Sequence, residues 1–135
     1  MKFWEFTRIV TGNLLKVFLS VALVILVGAA YLDRLGCLLK NPLNVGIFIS
    51  VFLMIYFHEV GHYIPLRNRE MEVKRDGIGI TILTTKPIPS SAVILSVLLP
   101  LIIAVVLTAI SRNWVFIILW LGIGAMGLID AMEVV

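Results

Sequence analysis

Charge, cysteine and histidine are all scarce in this chain of 135 residues, and each scarcity excludes something. Only 14% of the residues are charged and 61% are hydrophobic, against about 25% and 45–50% in soluble globular domains. A water-soluble protein this small has too little interior to hide so much apolar surface. The expectation is therefore a single polytopic membrane domain over residues 1–135, with the bilayer as its solvent. The net charge of +3 is too small for a nucleic-acid footprint, and the basic residues fall between apolar stretches, so no nucleic-acid partner is expected. Cys37 is the only cysteine, which rules out an internal disulfide and leaves the redox compartment open. Low-complexity segments and internal repeats are absent as well.

What is present is a set of four apolar stretches, at about Leu14–Leu32, Leu43–Ile64, Ser91–Ile110 and Trp114–Glu133. Each is near the roughly 20 residues needed to cross the hydrocarbon core. The fold class read from them is all-α integral membrane, with about four transmembrane helices. Asn41-Pro42 opens the second stretch and Pro65 closes it, while Pro100 predicts a kink in the third. Lys2, Arg8 and Lys16 before an apolar run ending near Val27-Gly28-Ala29-Ala30 also fit a signal peptide. A retained helix is preferred because Tyr31-Leu32 prolongs the run.

With four spans, the N-terminus, the Leu66–Ser90 segment and the C-terminus share one side of the membrane. Lys2, Arg8, Lys16, Arg67, Arg69, Lys74, Arg75 and Lys86 lie there, against Arg34, Lys40 and Arg112 on the other. The positive-inside rule then makes both termini cytoplasmic. Trp4 and Trp114 suit interfacial anchors.

Ionisable groups inside a span are costly and mark working sites. The interiors of the first and third stretches have none. The second carries His58, Glu59 and His62, and the fourth carries Asp130 and Glu133. His58 and His62 are the only histidines. Four residues apart on a helix, their rings share a face and can grip one tetrahedral ion. Glu59 stays out of the ligand positions, leaving its carboxylate to act as general base on the attacking water. This His-Glu-x-x-His pattern is specific; its structural alternative is a pair of buried, hydrogen-bonded histidines. Zinc is the metal such ligands imply, although other divalent ions fit the same residues. Catalytic zinc usually takes three protein ligands. His58 lies 15 residues past Leu43 and Asp130 lies 16 past Trp114, on helices running in the same direction. Asp130 is accordingly the expected third ligand, with Glu133 as the alternative.

Within Leu66–Ser90, the mixed-charge run Arg67–Asp76 reads as a solvated surface, while Gly77–Leu83 has the β-branched content of a strand. Such a strand would hold an extended substrate by edge pairing, with Gly79, Ile80 and Thr81 as the substrate-binding residues. The alternative is an apolar loop lying on the membrane. Gly122-Ile123-Gly124-Ala125-Met126-Gly127 matches a dinucleotide-loop spacing but lacks the preceding strand. Small residues there fit close helix packing instead.

A membrane-embedded His58-Glu59-Val60-Gly61-His62, then a further span, then an aspartate-bearing span resembles the site-2 protease class of intramembrane metalloproteases. The chain is more closely similar to a small bacterial family of membrane zincin peptidases, including Leu99-Pro100-Leu101 in the third span. Asp130, in Gly127-Leu128-Ile129-Asp130-Ala131, departs from the Asn/Pro-containing motif ending Asp-Gly of the site-2 class. The resemblance implies a zinc cofactor held by His58, His62 and Asp130, a cytosol-proximal active site in a bacterial cytoplasmic membrane, and a membrane-protein or membrane-bound peptide as substrate. Two other functions stay open: a non-enzymatic zinc-binding membrane protein, structural or sensory, and a metal transporter. Polar groups clustered at one end of the spans argue against the transporter.

Overall fold

The structure is a computed structural model describing residues 2–76 and 79–134. In chain order it comprises α1 (Phe3–Tyr31), α2 (Leu35–Lys40), α3 (Pro42–Leu66), β1 (Met71–Asp76), β2 (Gly79–Thr84), α4 (Ser90–Ser111) and α5 (Val115–Val134). Three of these helices, α1, α3 and α4, are long and apolar enough to cross a membrane. Among the described residues, the apolar stretch of α5 runs over Val115–Asp130. The protein is mostly helical, as expected of an all-α membrane protein, with one two-stranded sheet.

Local chemistry accounts for the helix starts. Pro42 sits in the first turn of α3, where a missing N–H costs nothing, and the Asn41 side chain accepts from the Leu43 N–H at 3.0 Å. Val115 N–H is capped in the same way by the Asn113 side chain at 3.0 Å. At the other end of α3 the sequence expectation needs correcting. Pro65 does not close the helix but lies inside it, one residue before its last residue, Leu66. A proline near a helix C-terminus sacrifices one carbonyl partner without forcing the short remainder to unwind.

Helix α1 begins at Phe3, well before the expected span, and its two halves differ. Phe6, Val10, Asn13 and Leu14 are buried. Phe6 stacks on Tyr63 of α3 with ring centroids 4.5 Å apart, and Thr7 shares a hydrogen bond with the Tyr56 hydroxyl at 3.1 Å. Beyond Leu14, residues such as Leu19, Leu23, Val24 and Val27 are exposed. A helix of 29 residues is about 43 Å long, more than the roughly 30 Å of a hydrocarbon core. The excess is the buried N-terminal half, which packs beside the sheet. Exposed apolar faces of this kind are compatible with an integral membrane protein.

The sheet is an antiparallel hairpin pairing Met71 with Thr84 through Asp76 with Gly79. Here the sequence reading missed a strand: β1 lies inside the run taken for a solvated surface. Its alternation shows why it folds. Met71 and Val73, with Ile80 and Ile82 opposite, pack against the core, while Glu72, Lys74 and Thr81 face outward. That is the period-2 pattern of a half-buried ribbon. Gly77 and Ile78 lie outside the described residues.

Helices α3, α4 and α5 form the core of the bundle, α4 packing against both of the others. One glycine sets the closest contact. A Cβ at Gly61 would lie 2.5 Å from the backbone of Leu95 and Ser96, so α3 and α4 touch backbone to backbone there. Gly127 allows a similar approach of α5 to the Val97 side chain, whereas Gly122 and Gly124 face open space. Close packing thus uses one glycine of the expected three. Gly61→Ala forces two backbones apart, and strain of this kind costs about 1–3 kcal/mol. Equilibrium unfolding in detergent should show that loss, with Gly124→Ala close to wild type.

Candidate metal centre

His58, Glu59 and His62 occupy the last third of α3 because the chain places them there; what surrounds them is decided by α4, α5 and β2. His58 and Glu59 are buried, at 2% and 5% exposure, and His62 and Asp130 are partly buried. The two imidazoles stand edge to face, with ring centroids 4.8 Å apart. Asp130 of α5 reaches both: its Oδ2 lies 3.0 Å from His58 Nε2 and 2.9 Å from His62 Nε2.

Three ligand atoms, one each from His58, His62 and Asp130, fall within 4.8 Å of one another. Ligands of a tetrahedral zinc, bonded at about 2.0–2.1 Å, are separated by about 3.3 Å. The two Asp130–histidine spacings, 3.0 and 2.9 Å, are a few tenths shorter, a gap that small side-chain rotations open. The donor chemistry fits too, since two imidazoles and a carboxylate are the ligand types of catalytic zinc. Imidazole nitrogens and a carboxylate oxygen this close need an electron-poor species between them, a proton or a metal cation.

The surroundings orient the ligands. His58 Nδ1 lies 2.9 Å from the carbonyl oxygen of Ser96. A carbonyl can only accept, so Nδ1 carries the proton and Nε2 is the atom offered to a cation. The Trp120 Nε1–H donates to the neighbouring Val97 carbonyl at 2.9 Å, which pins α5 one residue along from the His58 contact. Gly127 and Trp120 together set the height at which Asp130 meets the histidines. Glu59 turns to the hairpin: the Ile80 backbone N–H donates to its carboxylate.

A cleft of about 630 Å³ opens beside these groups, lined by His58, Glu59, His62 and Asp130, by Ile80–Thr84 of β2 and by Lys86–Ile88. This volume is within the range of ligand-binding sites, about 300–1,000 Å³. Arg69 closes the base of the hairpin by donating to the Pro87 carbonyl at 2.7 Å. Since Ile80 N–H points to Glu59 and not to β1, the outward-facing backbone groups of β2 belong to Ile80, Ile82 and Thr84, by strand parity. Among the described residues that edge of β2 pairs with no other strand.

The structure therefore brings His58, His62 and Asp130 together, with Glu59 alongside. Ile80 and Thr81 of the expected substrate strand line the same cleft, and Gly79 begins that strand. The side chain of Glu133 lies outside the described residues. Sequence reasoning missed Ser96, which acts through its backbone carbonyl, and Ile82, whose edge position follows from the register. It also missed Trp120, which is partly buried and whose indole N–H was the available signal because it seeks an acceptor. Comparisons with protein-family models, with curated proteins and with solved structures returned no match. Trp120→Phe keeps an aromatic ring and removes the donor. It should cost about 0.5–1.5 kcal/mol in unfolding measurements.

Proposed function

We propose that the protein is an intramembrane zinc metalloprotease that hydrolyses a peptide bond in or next to a substrate's membrane helix, near the cytoplasmic face. One observation carries this reading: His58, His62 and Asp130 converge from two helices while Glu59 and the unpaired edge of β2 line the same cleft. A structural zinc site is normally closed by four protein ligands, whereas three ligands beside an open cleft leave room for water and substrate. That favours an enzyme over a purely structural or sensory metal protein.

Under this reading His58, His62 and Asp130 hold the ion. Bound there, zinc supplies Lewis acidity, acidifying water and polarising the scissile carbonyl. Glu59 takes the attacking water's proton and later delivers it to the leaving amine. A helical substrate hides its carbonyls in its own hydrogen bonds, so it must unwind before attack. The β2 edge offers the Ile80 carbonyl and both backbone groups of Ile82 to the unwound segment, beside Glu59. In the membrane, α5 completes a four-span arrangement with both termini cytoplasmic.

The test combines metal content and cleavage in detergent-purified protein. The probe is a quenched fluorogenic peptide carrying one apolar helix interrupted by glycine. Mass spectrometry should find about one zinc per chain in wild type and in Glu59→Gln, and a loss in His58→Ala, His62→Ala and Asp130→Ala. Cleavage should fall by roughly 10²–10⁴-fold in Glu59→Gln. Unchanged cleavage in that variant would remove Glu59 as the base. Zinc without any wild-type cleavage would favour the sensory reading, and no zinc at all would end both.

Orientation has its own check. Cys37, the only cysteine, is exposed in α2, between the first two spans. With cytoplasmic termini, a membrane-impermeant maleimide added to intact cells should label it. Labelling only after lysis would reverse the topology.

A further inference from the structure

We infer that Pro100 is a positioning residue for the metal centre: lacking an N–H, it leaves the Ser96 carbonyl free to hold His58 with Nε2 facing Asp130 and His62. The inference rests on the metal site proposed above, and it starts from helix geometry. In an α-helix the N–H of each residue bonds the carbonyl four residues earlier. Pro100 lies inside α4, so Ser96 is the residue whose carbonyl loses its helical donor. Both residues are fully buried, where a backbone carbonyl needs a partner from elsewhere. That partner is His58 Nδ1–H at 2.9 Å.

Three further features make the arrangement specific. The Ser96 hydroxyl does not compete, because it donates to the Val93 carbonyl at 2.6 Å. Gly61 lets the α4 backbone approach α3 closely enough for a ring on the preceding turn to reach it. The Nδ1–H leaves the Nε2 lone pair of a neutral imidazole as the only ligand atom, pointing at the atoms contributed by Asp130 and His62. An alanine at this position would restore an N–H aimed at the Ser96 carbonyl, in direct competition with His58.

The experiment compares wild type, Pro100→Ala and Pro100→lactic acid in the full chain in detergent. Lactic acid is the α-hydroxy counterpart of alanine, so its ester linkage again has no N–H but no ring either. Zinc affinity is read by competition with a chromogenic chelator. Selective ¹⁵N labelling of the two histidines reports each ring nitrogen in the metal-free protein. Pro100→Ala should weaken zinc binding roughly 10–100-fold, the usual effect of losing a group that orients a ligand. It should also abolish the hydrogen-bonded Nδ1–H signature of His58. The ester variant should recover both. Alanine is a better helix former than proline, so a loss in Pro100→Ala does not reflect a failure to form α4.

Unchanged Nδ1 resonances in Pro100→Ala would overturn the inference. So would a defect that the ester variant fails to rescue, since the ring's effect on helix shape would then be responsible. If wild type binds no zinc, the metal reading falls, and the ring nitrogens still decide whether Pro100 orients His58.

Discussion

Polar groups placed on an apolar helix must find partners inside the bundle, because neither lipid nor a dry core supplies them. One stretch of α3 carries three such side chains, and the packing around it is organised by their needs. His58 donates to a backbone carbonyl of α4 and turns its other ring nitrogen toward a carboxylate of α5. His62 shares the same carboxylate, and Glu59 takes a backbone N–H from β2. Four elements are thereby bound to one another through about one turn of helix. Among the described residues, no buried side-chain nitrogen or oxygen is left without a partner.

The same constraint explains the division of labour among the helices. The interior of α4 has no ionisable residue, yet it serves the site through its main chain, offering carbonyls to His58 and to Trp120. This is possible only where side chains are small or absent at the contact, as at Gly61 and Gly127. The outer half of α1, which meets none of these demands, leaves its leucines and valines exposed. Its inner half instead packs on Tyr56 and Tyr63, on the side of the bundle where the hairpin also sits. The hairpin in turn has one apolar face on the core and one edge toward Glu59, so its register and the site depend on each other.

Long apolar runs made the main helices legible in the sequence, because hydropathy over some 20 residues is a strong signal that tertiary contacts rarely reverse. The hairpin was only half legible. Gly79–Thr84 has the β-branched residues of a strand, but Met71–Asp76 reads as charge unless its alternation is tested against a partner strand. The extension of α1 back to Phe3 escaped notice for a related reason: Lys2, Glu5 and Arg8 break the hydropathy signal while leaving helix propensity intact.

At the candidate site, the sequence by itself determined the pairing of His58 with His62 and the place of Glu59 between them, since helix periodicity alone puts four-apart residues on one face. It also ranked Asp130 by counting residues along parallel helices, a depth argument that needs no side-chain detail. Only the tertiary structure decided which way each imidazole turns, which edge of β2 lines the cleft and how near α5 comes. Those depend on backbone carbonyls and N–H groups, which every residue carries alike. Their identity as partners follows from packing geometry, from a glycine that permits contact and a proline that withholds a donor.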